Sequence, residues 1–145
     1  MPKKINKGGL VDITEKKVVE RRAVASGRII LREESVSAIA KGKTKKGDVF
    51  GTARAAAVMA VKKTPDIIPF CHQIPITDVR VDFALGKNFA EVKVEVKSLA
   101  KTGVEMEALT GAAVALLTLW DMVKYIEKDE GGNYPSTKIV ELKVV

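Results

Sequence analysis

The segment DVRVDFALGKNFAEVKVEVKS, residues 78–98, decides the fold. Apolar and polar residues alternate in both halves of this segment, and a period of two is typical of strands with one buried face. Between the halves, Gly86, Lys87 and Asn88 favour a turn. The segment therefore predicts an antiparallel β-hairpin. Its solvent-facing positions are predicted to be Arg80, Asp82, Lys93, Glu95 and Lys97.

Upstream of the hairpin, the sequence predicts one strand and two helices. Residues 23–31 carry small and β-branched side chains in loose alternation, which favours a strand. Ser35 is a suitable N-cap for a short helix over residues 36–40, and Asp48 for a longer helix. We expect the longer helix to end just before Pro65, because a proline disfavours the α conformation of the residue before it.

Downstream of the hairpin, a long helix and a final strand are predicted. Thr102 and Glu105 have the T-x-x-E spacing of a capping box, which indicates a helix from there to about Ile126. Residues 139–145 alternate again as a strand. The order of strand, helices, two strands, helix and strand predicts an α+β ferredoxin-like sandwich, an antiparallel sheet with helices on one face.

The composition of the chain indicates one globular domain. Its 145 residues are 46% hydrophobic and 30% charged, which suits a single core. Residues 1–9 are basic and aperiodic and are predicted to form a flexible arm, followed by a single domain over residues 10–145. The net charge of +7 favours anionic partners such as phosphates or nucleic acid.

Cysteine usage and apolar segments indicate the compartment. Cys71 and His72 are the only residues of their types, which excludes a disulfide framework and a four-ligand structural zinc site, so no metal site is predicted. The N-terminus lacks the apolar stretch of a secretory signal. Residues 104–126 include four charged side chains, which indicates a buried helix rather than a membrane span. We expect a cytoplasmic protein with no membrane partner.

Two charged residues of the long helix, Asp121 and Lys124, are candidates for acid-base chemistry. They are three residues apart and lie on one helix face, so an ordinary ion pair is one interpretation. Apolar neighbours such as Trp120 and Met122 favour a second interpretation, in which partial desolvation shifts their proton affinities. The spacing alone is compatible with both.

The loop GKTKKG, residues 42–47, is rich in lysine. It does not form a phosphate-binding P-loop, which would need glycine at the position of Ser37. Its lysines precede a predicted helix N-terminus, where free amides and the helix dipole favour an anion. The alternative is a solvated loop on a basic surface. Lys46 is nearest to the helix and is the best candidate for a ligand contact.

Two further groups of candidate residues are a pair in a proline-flanked segment and two glutamates at the start of the long helix. Cys71 and His72 occupy a proline-flanked segment, where a structural role is the ordinary interpretation. Glu105 and Glu107 are two residues apart and point about 200° away from each other on a helix, so they need different explanations. The capping box accounts for Glu105, which leaves Glu107 as the better functional candidate.

The length of the long helix indicates a site shared between subunits. Glu107 and Asp121 are separated by 14 positions, on the order of 21 Å along a helix. One small site can hardly use both residues of the same chain. Apolar residues on nearly all sides of the helix also favour an interface, so we predict a homo-oligomer.

Two long segments resemble the cyclic pyranopterin monophosphate synthases, the C proteins of molybdenum cofactor biosynthesis. They are KGDVFGTARAAAVMAVKKTPDIIPFCHQIPIT, residues 46–77, and KTGVEMEALTGAAVALLTLWDMVKYIEKD, residues 101–129. The resemblance implies a ferredoxin-like fold, assembled as a hexamer, a trimer of dimers, with active sites at subunit interfaces.

The same resemblance implies the reaction. The family converts 3′,8-cyclo-7,8-dihydroguanosine 5′-triphosphate, a nucleotide-derived substrate supplied by an upstream radical enzyme, into cyclic pyranopterin monophosphate and diphosphate. Such an enzyme is a phosphorus-oxygen lyase and requires no redox cofactor. Whether Mg²⁺ accompanies the triphosphate stays open.

The resemblance also assigns site residues. Asp121 matches the catalytic aspartate, and Lys46 and Lys124 match the lysines that assist it. Clustered cations would bind the triphosphate and lower one another's proton affinity, so that one lysine could move protons near neutrality. The residues implied to contact substrate are Phe70, Cys71, His72, Met106 and Glu107, with Glu105, Lys62 and Arg21 as neighbours. The segment EGGNYPSTK departs from the usual family pattern, which leaves the role of Lys138 open.

Two other functions compete with the enzyme. A small basic ferredoxin-like domain is also the architecture of RNA-binding modules, but the charged outer face of the hairpin offers no platform for base stacking. We therefore expect no nucleic-acid partner. A second alternative is a non-catalytic relative that keeps the fold and only binds a ligand.

Overall fold

The structure is a computed structural model that describes residues 2–3 and 8–145. The predicted arm over residues 1–9 lies mostly outside the described residues, so this domain boundary stays a prediction. In chain order the elements are β1 (Val19–Ile30), α1 (Glu33–Ala40), α2 (Val49–Lys62), α3 (Thr64–Ile67), β2 (Ile76–Leu85), β3 (Phe89–Ala100), α4 (Glu105–Glu127) and β4 (Lys138–Val144).

The four strands form one antiparallel sheet in the order β2-β3-β1-β4. The predicted hairpin is confirmed as β2 and β3, in which Val81 pairs with Val94. β3 also pairs with β1 along its whole length, from Val19 opposite Ala100 to Ile30 opposite Phe89. The helices cover one face of this sheet, so the ferredoxin-like prediction is confirmed.

The hydrophobic core lies between the sheet and helices α2 and α4. Alternate residues of β1 and β3 point into it, because successive side chains of a strand face opposite sides. The contact between the two helices is made by small residues, including Ala57 and Ala112, which are fully buried. A Cβ added at Gly111 would come within 2.8 Å of Val61 Cγ2, so α4 can approach α2 only with glycine there. α4 therefore occupies a fixed position on the sheet.

Helix α2 begins and ends where the sequence predicts. The Asp48 side chain accepts a hydrogen bond from the Gly51 N–H at 3.1 Å, which confirms it as the N-cap. The helix ends at Lys62, and the single turn α3 follows with Pro65 near its start. α3 was not predicted, because four residues are too few to show a helical period.

The predicted cap of α1 is wrong. Ser35 lies inside the helix and is buried, and the N-cap position belongs to Arg32. The acceptor comes instead from Glu127 at the end of α4, whose carboxylate binds the Arg32 N–H at 2.9 Å and also the Ser35 hydroxyl. The Thr137 hydroxyl donates to the same carboxylate at 2.6 Å. Glu127 is thus fully buried with three donors, which offset the cost of burying a carboxylate.

The predicted capping box of α4 is also wrong, although the helix itself is confirmed. Its N-cap is Val104, which makes no side-chain cap hydrogen bond. The Glu105 carboxylate lies against Gly103, in space that a side chain at position 103 would fill. Only a glycine at 103 leaves that space open to Glu105.

By length and composition, α4 is one helix that could cross a membrane. In this fold, however, half of its most apolar window is buried inside the protein. Leu116, Leu119 and Val123 on its inner face are fully buried in the core. Its hydropathy is therefore explained by packing against the sheet and α2.

Candidate active site

The three predicted catalytic residues meet near the C-terminal end of α4. The Lys46 Nζ lies 2.8 Å from Asp121 Oδ2, and the Lys124 Nζ lies 2.9 Å from Asp121 Oδ1. Each carboxylate oxygen therefore has its own ammonium group. The structure brings together Lys46 and Asp121, which are 75 positions apart in the sequence.

The local fold explains how Lys46 reaches α4. The loop between α1 and α2 turns at Gly42 and Gly47, which have φ values of 65° and 99° in the left-handed region that favours glycine. Asp48 then fixes the start of α2 directly after the loop. Lys46 is thereby held on the side of the loop that faces α4.

The electrostatics of this cluster differ from what the sequence suggested. The Asp121 side chain is 52% exposed, so the expected desolvation of the pair is wrong. Hydrogen bonds from Lys46 and then Lys124 lower the pKa of Asp121 below its ordinary value. The hydrogen bond to Asp121 raises the pKa of Lys124, which contradicts the expected loss of proton affinity at this lysine. In the isolated chain the cluster is a solvated, ionised triad.

One amide at the N-terminus of α2 is already occupied, because the Gly51 N–H donates to the Asp48 carboxylate. The Asp48 carboxylate already occupies the first turn, and an anionic ligand there would meet a like charge. The expectation of an anion at this helix terminus stays a prediction. The basic character of the loop lies instead in its exposed lysine side chains.

A second group of predicted residues surrounds a pocket at the N-terminal end of α4. Its volume is about 400 Å³. It is lined by Ile68, Pro69, Phe70, Cys71, His72, Thr102, Gly103, Glu105 and Met106. The predicted residues at positions 70–72 and 105–106 are therefore brought together from two distant segments. Phe70 is 62% exposed, which leaves an apolar surface at the rim.

Glu107 is buried next to Cys71, a half-buried residue of the pocket lining. Glu107 is only 1% exposed, and the Cys71 thiol donates a weak hydrogen bond to its Oε2 at 3.6 Å. Its Oε1 has no hydrogen-bond partner among the described residues. Burial raises the pKa of Glu107, and burial together with the charge of Glu107 raises the pKa of Cys71 to about 11. The thiol is therefore protonated at neutral pH and is no nucleophile in this state.

Two other predicted residues organise the surroundings of the pocket. The His72 Nε2 lies 2.7 Å from the Val11 carbonyl oxygen. Because a carbonyl only accepts, Nε2 carries the proton, and in a neutral ring Nδ1 is then an acceptor. The Arg21 guanidinium donates to the Ala100 and Lys101 carbonyl oxygens at 3.2 and 3.1 Å. Arg21 thus supports the loop that leads into Thr102 and the pocket.

Lys62 does not line this pocket. It belongs to a separate one of about 490 Å³ between α2 and the start of β2. Residues 68–72 border the first pocket and Ile74 and Ile76 border the second, so the same segment separates the two. Lys138 starts β4 opposite Ile30, and its side chain is exposed.

Two residues that shape the cluster were not predicted from the sequence. The Tyr125 hydroxyl accepts a hydrogen bond from the Lys45 N–H at 3.0 Å, and Glu127 ties α1 to the same end of α4. The signal for Tyr125 was its position four residues after Asp121, on the same helix face. No spacing pattern points to Glu127, because its partners are distant in sequence.

Comparison with known proteins agrees with this arrangement. The profile of the MoaC family matches residues 10–145. The chain belongs to the MoaC family. A relative from Methanococcoides burtonii is 59% identical over 94% of this chain and 86% of its own length. One from Thermococcus kodakarensis is 54% identical over 94% of this chain and 87% of its own. Both relatives bear the name probable cyclic pyranopterin monophosphate synthase.

Membership of the MoaC family agrees with the resemblance seen in the sequence. The matched region contains the lysine cluster at one end of α4 and the pocket at the other. Among the residues that the structure describes, no three His, Cys, Asp or Glu side chains lie together as a metal site would require. The roles of the individual site residues stay predictions.

Proposed function

We propose that this chain is a cyclic pyranopterin monophosphate synthase of molybdenum cofactor biosynthesis. It converts 3′,8-cyclo-7,8-dihydroguanosine 5′-triphosphate into cyclic pyranopterin monophosphate and diphosphate, as a phosphorus-oxygen lyase. The observation that carries the proposal is the Lys46–Asp121–Lys124 triad, in which two ammonium groups flank one carboxylate. The family membership supports the same activity.

The triad suits the cyclising step. This step forms a P–O bond between a substrate hydroxyl and the α-phosphate and breaks the bond to the leaving diphosphate. The hydroxyl proton therefore needs an acceptor, and the diphosphate needs compensation for its developing charge. In our proposal Asp121 accepts the proton, and Lys46 and Lys124 stabilise the phosphates.

Substrate binding would also activate Asp121. The two lysines lower the pKa of this carboxylate, so in the free enzyme it is a weak base. A triphosphate attracts the same ammonium groups and competes with Asp121 for them. As the lysines turn to the phosphates, the proton affinity of Asp121 rises. The base thereby gains strength only when substrate is present.

We assign the pocket at the N-terminal end of α4 to the ring system of the substrate. It offers an apolar rim at Phe70 and Met106, which suits a flat heterocycle. Burial raises the pKa of Glu107, so this carboxyl holds a proton more readily than a free glutamate, and when protonated it donates a hydrogen bond. His72 supplies further polar contacts to the substrate.

We propose that the complete site combines the two ends of α4 from different subunits. Both lie on one continuous helix, on the order of 21 Å apart. The outward side of α4 exposes Met106 and Leu117, an apolar stripe that a second copy would cover. Val114 is halfway between Glu107 and Asp121, so antiparallel packing about it would bring each Asp121 level with Glu107 of the partner subunit. A hexamer built from three such dimers is the assembly that we expect.

Three further features of the proposal concern conditions and context. We expect catalysis without a redox cofactor, with any Mg²⁺ bound through the triphosphate. The substrate comes from an upstream radical enzyme, and nucleic acid and membranes are not partners. We place the enzyme in the cytoplasm, where its nucleotide-derived substrate is made.

The decisive experiment supplies the purified chain with the cyclic dihydroguanosine triphosphate. Mass spectrometry is expected to detect cyclic pyranopterin monophosphate, and a coupled assay an equal amount of diphosphate. Binding of the triphosphate without turnover would instead support the non-catalytic alternative. Light scattering on the same sample gives the assembly state, and a monomer that turns over substrate would contradict the shared site.

A further inference from the structure

The loop that carries Lys46 is attached to α4 at a second point, beside the catalytic cluster. The Lys45 N–H donates a hydrogen bond to the Tyr125 hydroxyl oxygen at 3.0 Å. The Lys45 ammonium also lies 4.8 Å from the centre of the Tyr125 ring, within the range of a cation–π contact. Tyr125 therefore holds the residue directly before Lys46 through both its hydroxyl and its ring.

The geometry of the helix relates this contact to Asp121. Residues four apart on a helix are neighbours on one face, so Tyr125 and Asp121 project side by side. Asp121 binds the side chain of Lys46, and Tyr125 binds the backbone one residue earlier. The two contacts form a clamp that defines both where the Lys46 backbone lies and where its ammonium group points.

The loop needs such a clamp. Lys46 is exposed, and a lysine side chain has four rotatable bonds, so its ammonium group could occupy many positions. The segment formed by α1 and this loop is held at its N-terminal end by the Glu127 carboxylate, which accepts a hydrogen bond from the Arg32 N–H. Between these ties the chain turns at Gly42, and it turns again at Gly47, directly after Lys46. Without the Tyr125 side chain, the loop between Gly42 and Gly47 would lose the hydrogen bond that fixes its backbone beside Lys46.

We infer that Tyr125 is a positioning residue for the proposed reaction: it holds the 44–45 peptide, next to Lys46, so that the Lys46 ammonium group stays against the Asp121 carboxylate. This inference rests on the proposed function only for its effect on turnover. Its effect on the cluster itself is a property of the free protein and can be measured without substrate.

The first test therefore follows the Asp121 carboxyl carbon by NMR titration of the ¹³C-labelled free protein. Because Lys46 is the largest cause of the lowered pKa of Asp121, loosening it raises that pKa. Tyr125→Phe, which keeps the ring and removes the hydroxyl, is expected to move the pKa upward. Lys46→Met removes the contribution of this lysine altogether and sets the upper limit. The Tyr125→Phe value should fall between wild type and Lys46→Met.

A matched control is available on the neighbouring segment. Tyr134 packs edge-on against Trp120 with ring centroids 5.2 Å apart, and its hydroxyl makes no hydrogen bond within the described part of the chain. Tyr134→Phe removes the same group without touching the loop. It is expected to leave the pKa of Asp121 and the turnover rate at their wild-type values.

The second test measures turnover. Tyr125→Phe is expected to lower kcat about three- to tenfold, the range that corresponds to one neutral hydrogen bond, with a smaller change in KM and little change in Tm. Wild-type kcat together with a wild-type pKa of Asp121 would overturn the inference. So would a fall in Tm without a change in that pKa, because Tyr125 would then be only structural. If the wild type itself shows no turnover, the proposed function fails, and the titration alone still decides the role of Tyr125.

Discussion

The two ends of α4 each present an acidic residue to a predicted site, but in opposite environments. Glu107 at the N-terminal end is 1% exposed and has a raised pKa because it is buried. Asp121 near the C-terminal end is 52% exposed and has a lowered pKa because two lysines donate to it. One helix thus offers one carboxyl with a raised proton affinity and one with a lowered proton affinity. Catalysis of a step with both proton donors and acceptors can use this difference without any further titratable group.

The largest expected effect on turnover comes from removing the charge of Asp121 at the C-terminal end of α4. Asp121→Asn keeps the shape of the side chain but removes the proton acceptor. We expect kcat to fall by about 10²- to 10⁴-fold, the range of a general base, as measured by diphosphate release. Tm and the assembly state are the controls, because an exposed residue contributes little to the fold. Activity within tenfold of wild type would remove Asp121 from its catalytic role.

The next prediction concerns whether the two ends act across subunits. Mixing Asp121→Asn with Glu107→Gln, after dissociation and reassembly, is expected to recover about a quarter of wild-type activity. Half of the dimers are then mixed, and each contains one site with both native residues. Each variant alone should remain at its own low rate.

A second mixture provides the matched control for this recovery. Asp121→Asn mixed with Lys46→Ala carries both defects at the same end, so every site lacks one member of the triad. No recovery is expected in that case. Equal recovery in both mixtures would contradict a triad formed within one chain, and recovery in neither would favour a site within one chain.

The smallest expected effect is on thermal stability, and its dependence on pH distinguishes the two ends of α4. Folding raises the pKa of Glu107 above its ordinary value of 4.5. Its contribution to the free energy of unfolding is therefore fully present below that pH. This contribution is lost as the pH rises through the pKa of the folded state. Glu107→Gln cannot ionise. We expect its Tm to match wild type near pH 4 and to exceed it by a few degrees at neutral pH.

The contribution of Asp121 to stability changes with pH in the opposite direction. Its pKa is lowered from 3.8 in the folded protein, so its contribution is present above that value and is lost as pH falls through the folded pKa. The Tm of Asp121→Asn should therefore be slightly below that of wild type at neutral pH and equal to it under acid conditions. The same direction of change in both variants, measured by thermal unfolding from pH 3 to 8, would disprove the difference between the ends.

Most of the fold followed from the sequence because its signals are local. The alternation over residues 78–98 requires no knowledge of the rest of the chain, and Asp48 caps a helix that begins one residue later. The two wrong caps show the limit of such signals. The acceptor for α1 arrives from Glu127, and Glu105 folds onto Gly103 instead of closing a capping box. Tertiary contacts replaced the local ones in both places.

In the candidate site too, features set by local sequence could be predicted, and features set by tertiary packing could not. The Asp121–Lys124 pair could be predicted from helical spacing, and the family resemblance pointed to Lys46. Solvation could not be predicted: apolar neighbours in sequence suggested a desolvated Asp121, whereas those neighbours turn into the core and leave the carboxylate outside. The burial of Glu107 and its contact with Cys71 also depend on how two distant segments pack.

The tie between Glu127 and α1 has a consequence for the order of folding. α1 has eight residues, which is too short for a helix to persist alone in water. Its N-terminal amide and Ser35 find their acceptor 95 and 92 positions further along the chain. α1 can therefore become stable only after α4 has docked on the sheet. The lysine loop that follows α1 is then among the last parts to reach its native place, and substitutions in it should alter the unfolding rate far more than the folding rate.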